Sequence, residues 1–112
     1  MVDEYFFKEG CFIEEWHNHA DQPDMSIAKV RLEVGKTTKL HSLVNTVERY
    51  VMLEGQALVT VNHQSWSVSR SDVVVIPADA PQKIQNTGTT DLVFLAICTP
   101  RFEEQHYQEL PE

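Results

Sequence analysis

The feature that most constrains this chain is its rhythm. Short apolar runs, alternating with period two or continuous in Val and Ile, are broken about every eight to twelve residues by turn-forming residues. Wound into helices, such runs would scatter their apolar side chains around the axis, so the rhythm predicts an all-β fold. Over residues 26–34 it sends Ala28, Val30, Leu32 and Val34 to one face and Lys29, Arg31 and Glu33 to the other, a half-buried strand ended by Gly35. Residues 49–53 and 57–61 flank Glu54 and Gly55 and read as a pair of strands at a tight turn, after which residues 62–65 turn the chain into a strand at 66–68. The run Val73, Val74, Val75, Ile76 is apolar on both faces and suits a strand inside a sandwich or barrel. Pro77 and Pro81 then bracket a turn, because neither nitrogen can donate to a sheet ladder. Beyond the turn at 86–91, residues 92–98 carry no charge and predict a buried strand. Tyr5, Phe6, Phe7, Phe12 and Ile13 supply one or two further strands near the N-terminus, residues 17–24 read as a mobile loop, and residues 102–110 read as a short surface helix.

At 112 residues and 12.9 kDa the chain has room for one core, and we expect one domain over 1–112, with N-terminal strands and a loop at 1–24, a barrel at 25–102 and a tail at 103–112. A composition of 42% hydrophobic and 23% charged residues excludes a disordered or low-complexity chain. Nine basic residues against 17 acidic give a net charge of -8, which repels nucleic acid. No apolar run approaches the ~18 residues of a membrane span, and acidic residues stand where a signal peptide carries positive ones, so we expect no membrane partner and a cytoplasmic location. Cys11 and Cys98 lack the paired spacing of a zinc knuckle and read as small buried thiols.

Strand alternation sends His41 and Leu43 to one face, and Glu48, Tyr50 and Met52 to one face of the next strand. If that common face is the interior, an imidazole, a carboxylate and a phenol, joined by the Gln82 amide, meet amid aliphatic walls. Such a cavity binds a small polar molecule through His41, Glu48, Tyr50 and Gln82, while Leu43, Met52 and Ile84 grip its apolar part. Each residue also has a structural reading: His41 and Glu48 as a buried ion pair, Gln82 as a core amide, Tyr50 as an aromatic wall, Cys98 as packing.

The spacing Gly35-x5-His41-x-Leu43-x4-Glu48-x6-Gly55 resembles the first motif of the cupin superfamily, usually G-x5-H-x-H-x3,4-E-x6-G. The spacing Ser71-x5-Pro77-x-Asp79-x2-Gln82-x3-Asn86 resembles the second, usually G-x5-P-x-G-x2-H-x3-N, and residues 91–102 are similar to the closing strand of short single-domain cupins. The resemblance implies a double-stranded β-helix, or jelly-roll, barrel and a metal held by three histidines and a glutamate. Here His41 and Glu48 match ligand positions, but Leu43 has no lone pair and Gln82 offers only an amide oxygen, tolerable to a hard ion such as Mg²⁺, Ca²⁺ or Mn²⁺. One divalent metal on His41, Glu48 and Gln82 is therefore the cofactor expectation, with His17 or His19 available to complete the shell if their loop folds over the barrel mouth. Arg101 reads as a surface ion pair or an attractor of anionic ligands, and His63 and His106 read as surface residues.

Three functions follow. The first is a small-molecule-binding cupin whose ligand is a sugar, a keto acid or another small metabolite. The second is a metal-dependent isomerase, lyase or dioxygenase, or a metal-free variant in which Glu48 orients His41 as general base. The third is a homodimeric structural or regulatory module that pairs through the aromatic N-terminal segment, with Phe6, Phe7, Phe12 and Trp16 on the partner. Fold alone does not choose among them, since one barrel hosts many chemistries.

Overall fold

A computed structural model describes residues 3–112 and pairs its strands antiparallel throughout. One sheet contains, in spatial order, β1 (Glu4–Phe7), β2 (Cys11–His19), β3 (Gln22–Leu32), β10 (Leu92–Thr99), β5 (Val47–Glu54) and β8 (Val73–Ile76). The other contains β11 (Tyr107–Glu109), β4 (His41–Leu43), β9 (Gln82–Asn86), β6 (Gln56–Val61) and β7 (Gln64–Ser69). The apolar rows of the two sheets meet: Leu32, Met52, Ile76, Leu92 and Phe94 from the first close on Val59 and Ile84 from the second, all fully buried. This is the jelly-roll sandwich the rhythm and the motif spacing predict. Among the described residues no helix is long and apolar enough to cross a membrane.

Several local expectations change. β5 and β6 do not pair with each other; the chain crosses from one sheet to the other at Gly55, which adopts a left-handed φ of 93°. A Cβ there would stand 3.1 Å from both the Asp91 carbonyl oxygen and the Leu92 Cα. The true hairpin is β6–β7, whose turn residues Asn62 and His63 both have positive φ, as a type I′ turn requires. β8 is an edge strand, so Val74 and Ile76 are buried while Val73 and Val75 face solvent. Val34 lies past the end of β3 and is exposed.

Residues 17–24 are not a loop: β2 runs to His19, a two-residue turn follows, and β3 starts at Gln22. The tail is not a helix of two or three turns but a 3₁₀ turn at Glu104–His106 followed by β11, which pairs with β4. Tyr107 is buried, while Gln108 and Glu109 are exposed. Of the N-terminal aromatics, Phe7 packs inward against Phe102 and Tyr107, whereas Phe6 and Trp16 remain exposed.

The motif residue Asn86 has a structural task. Its amide nitrogen donates to the carbonyls of Leu32 and Thr90, and its side-chain oxygen accepts from the Gly88 nitrogen, which fastens the turn before β10 to the end of β3. The sheet crossover at Gly55 packs on the start of β10 just beyond that turn. Gly55→Ala should therefore lower unfolding free energy by about 2–3 kcal/mol, combining backbone strain with a clash against main chain. Gly35→Ala, with φ 76° but nothing within 4 Å of the new Cβ, should lose only about 1 kcal/mol; urea-denaturation midpoints of the two variants check the contrast.

Candidate functional site

The end of the barrel toward β4, β10 and β11 is incompletely filled. The main core stops there, and a second cluster of Leu43, Cys98 and Tyr107, flanked by Phe7 and Phe102, surrounds a cavity of about 50 Å³. Its walls include His41, Leu43, Glu48, Tyr50, Phe94 and Cys98 from the central strands, and Glu9, Glu15 and Asn18 from the first two strands and their turn. A wider depression of about 400 Å³ shares Tyr5, Phe7, Glu15, Asn18 and Phe102 with the cavity and leads outward past Arg101 and Glu103.

His41 is held on both ring nitrogens. Nδ1 lies 2.6 Å from the Lys39 carbonyl oxygen, which can only accept, so Nδ1 carries hydrogen. Nε2 lies 3.0 Å from Glu9 Oε2, and the ring stacks on Tyr107 at 5.0 Å between centroids. Burial opposes charge on the imidazole, but the Glu9 carboxylate, the Lys39 carbonyl and Glu48 outweigh it and raise His41 above its ordinary value. With Nδ1 donating to the Lys39 carbonyl, the contact between Nε2 and Glu9 Oε2 carries a proton, and the two side chains engage one another. Glu9 reaches the site because the β1–β2 turn folds back over β4: the Lys39 nitrogen donates to the Glu9 carbonyl at 2.8 Å, and Gly10 makes the turn with φ 107°.

Glu48, on β5, is more isolated. Its Oε2 takes a long contact of 3.7 Å from the Cys98 thiol, and its buried Oε1 has no hydrogen-bond partner among the described residues. Burial first, and the Glu9 charge second, push the carboxyl up to about 7, against the smaller pull of His41, Gln82 and Cys98. Two residues along β5, the Tyr50 hydroxyl donates to Gln82 Oε1 at 2.7 Å, and burial holds this phenol well above its usual range, so it remains a donor. Gln82 stands opposite His41 in the β4–β9 register. Burial and Glu48 likewise raise the Cys98 thiol, which packs rather than reacts.

Of the residues the sequence assigns to ligand binding, the structure thus brings His41, Leu43, Glu48 and Tyr50 to the cavity wall. Gln82 sits behind Tyr50, and Met52 and Ile84 lie in the closed core. His17 and His19 do not complete a metal shell: they stack edge to face on each other at 4.9 Å, and Asn18 between them is the residue that lines the cavity. Asn18 donates to the Phe102 carbonyl at 2.9 Å and accepts from Arg101 at 2.8 Å, while the Phe102 nitrogen donates to Ser26 Oγ at 2.8 Å. These bonds strap Phe102 across the cavity wall. Arg101 is also paired with Glu103 at 3.2 Å, the ion-pair reading of its sequence position. His106 is half-buried in the 3₁₀ turn rather than fully exposed.

The donor set does not fit a bound metal ion. Among the described residues no group of three or more His, Cys, Asp and Glu has a geometry that would hold one. His41 has no free lone pair, since Lys39 and Glu9 engage both nitrogens, and Gln82 Oε1 is turned to Tyr50. Sequence reasoning missed Glu9 and Tyr107. An acid before Gly10 marks a turn but not where its side chain goes, and residues 105–110, Gln-His-Tyr-Gln-Glu-Leu, carry no alternation that would have marked the short strand.

Comparison with known proteins agrees with this architecture. The chain is 30% identical over 106 residues to an uncharacterised protein of Methanocaldococcus jannaschii, covering 93% of this chain and 85% of the other. It is 31% identical over 84 residues to an oxalate-binding protein of Thermotoga maritima, covering 75% of this chain and 66% of the other. Among solved structures, the nucleoside dehydratase Pac13 of Streptomyces superposes with a TM-score of 0.82 at 16% identity, over 97% of this chain and 84% of its own. KdgF from Halomonas superposes with a TM-score of 0.81 at 16% identity, over 92% and 90%; at such identities both likenesses concern the fold. The cupin domain model matches residues 28–98, well over half of the sequence, and the chain belongs to the cupin domain family.

Proposed function

We propose that this cupin binds a small polar metabolite in the cavity between the sheets, with a hydrogen-bond donor of the ligand meeting Glu48 Oε1. The carrying observation is that oxygen: a buried carboxyl oxygen on a cavity wall with no hydrogen-bond partner among the described residues. Leaving such an atom unpaired costs about 1–3 kcal/mol or more, which a ligand donor recovers on binding. The cavity of about 50 Å³ exceeds the ~10–15 Å³ one water needs and falls far below the ~300–1,000 Å³ of sites for drug-sized ligands. The enclosed part of the ligand is therefore a few heavy atoms, and any larger portion lies in the outer depression. The oxalate-binding relative supports the size class, a small polar ligand.

A second reading, metal-free proton transfer, is favoured by the titration of Glu48 near 7 beside the Tyr50 and His41 donors. A carboxyl poised there serves as acid or base at neutral pH. A divalent ion on His41, Glu48 and Gln82, the remaining alternative, would require Glu9 to leave His41 and the imidazole to lose its proton.

In a thermal-shift screen of small polar metabolites at millimolar concentration, at least one compound should stabilise the wild-type protein. Glu48→Gln should weaken that compound by about tenfold or more, equivalent to roughly 1.4 kcal/mol; a screen without a hit counts against the proposal. Untagged protein purified without chelator should carry substoichiometric metal, unchanged by His41→Ala. A stoichiometric metal that disappears in that variant would reverse the metal-free reading.

Stability should also follow the two raised groups. Glu48 titrates at about 7 in the fold against 4.5 ordinarily, so the folded chain holds the extra proton between these values, and stability falls as pH rises through that window. His41, raised from 6.5, extends the loss to higher pH as its imidazolium is titrated away. Melting temperature should therefore decline from mildly acidic to mildly alkaline buffer, and Glu48→Gln should flatten the acidic half of that slope.

A further inference from the structure

The charge and surface of the cavity point to a narrower class of ligand. Among the described residues its walls carry three acidic side chains, Glu9, Glu15 and Glu48, against one basic side chain, His41, which Glu9 already engages at 3.0 Å. Glu15 accepts a hydrogen bond from the Tyr5 hydroxyl, and Glu48 Oε1 has no partner. In the outer depression Arg101 is taken by Glu103 and Asn18, so among the described residues no unpaired cation lines it. The remaining surface is unusually aromatic. Tyr5, Phe7, Tyr50, Phe94, Phe102 and Tyr107 all line the cavity. Carboxylate acceptors among aromatic faces are the surroundings in which an ammonium group is held, by hydrogen bonding to the one and by the ring quadrupole of the other.

The protein holds an ammonium in this way beside the cavity. Lys8 Nζ sits 4.9 Å from the Tyr107 ring centroid and 5.8 Å from that of Phe7, with Glu104 at 3.1 Å. Both rings belong to the cavity wall. An anionic ligand would instead face the buried Glu48 and Glu9 with only an already paired imidazolium in compensation.

We propose that the ligand is a small organic ammonium, whose N–H groups donate to Glu48 Oε1 and whose charge is shared by the surrounding aromatic rings. This deepens the binding proposed above and rests on it. It also separates the chain from its oxalate-binding relative, since the charge of the preferred ligand is reversed.

The test uses three two-carbon probes of nearly equal size: 2-aminoethanol, cationic at neutral pH, ethane-1,2-diol, neutral, and glycolate, anionic. Each is titrated into the unmodified protein and followed by the amide resonances of Glu48, Tyr50 and Phe94. 2-Aminoethanol should bind at least about tenfold more tightly than the diol, glycolate should be weakest, and Glu48→Gln should remove about tenfold of the 2-aminoethanol affinity. Because the ranking is read on the wild-type protein, it stands whether or not the variant folds. A diol that binds as well as 2-aminoethanol overturns the ammonium assignment and leaves the polar-metabolite site intact. Tightest binding by glycolate, or no shift with any probe, also overturns it, while the metabolite screen judges the broader proposal separately.

Discussion

The burial of Glu9, His41 and Glu48 in one low-dielectric barrel end is the constraint on which the site depends. Two acidic side chains and one imidazole share a place where desolvating an isolated ion costs several kcal/mol. The fold meets that cost unevenly. Glu9 and His41 satisfy one another at 3.0 Å, with the second ring nitrogen anchored on a backbone carbonyl, whereas Glu48 has no such partner and is driven toward its neutral form. The proton on Glu48 and the charge on His41 are therefore coupled: protonating either relieves the same excess of negative charge. A ligand that enters the cavity changes this balance directly, which is why the cavity is read from electrostatics rather than from its shape alone.

The architecture around it sets how far that end of the barrel opens. Gly55 allows β5 to turn out of one sheet into the other, so that Glu48 and Tyr50 on β5 face His41 on β4 across the barrel. The segment after β10 then returns along the open end. Asn18 and Ser26 fasten Arg101 and Phe102 to the β2–β3 hairpin, and β11 adds Tyr107 over His41. Both chain ends thus contribute to the wall. In a barrel of this size the middle strands build the floor, and the terminal segments decide how enclosed it is.

Much of the fold was legible because period-two burial is imposed by backbone geometry: Val30 and Leu32, Val59, and the uncharged run of β10 are buried where alternation or charge predicts. What alternation does not carry is which strands are neighbours. Thus the Gly55 turn looked like a hairpin, and the Val73–Ile76 run looked interior although it forms an edge. His41, Glu48 and Tyr50 were legible as a convergent set because their motif spacing fixes three positions on two strands consecutive in sequence, which lie in opposite sheets. Glu9 and Tyr107 were not, because each arrives through tertiary folding of a terminal segment, where Glu9 is separated from His41 by two long strands. The extended hairpin at residues 17–24 was hidden by its polarity, since its strands lie at the barrel rim, where solvent imposes little apolar alternation.

The departures at Leu43 and Gln82 acquire a coherent physical sense in this setting. Leu43 packs with Cys98 and Tyr107 and makes apolar a position where a nitrogen ligand would stand, and Gln82 spends its oxygen on Tyr50. With neither able to help hold a cation, the positive charge opposite the carboxylates is supplied by the protein itself, on His41, and Glu9 stabilises it there. The two substitutions and the approach of Glu9 act in the same direction: each lowers the capacity of His41 and Glu48 to serve as a ligand pair, and together they leave Glu48 Oε1 as the one buried carboxylate oxygen without a partner among the described residues. A family position that elsewhere serves coordination has here become an acceptor on a cavity wall, and the chemistry of the site follows from what can approach that oxygen.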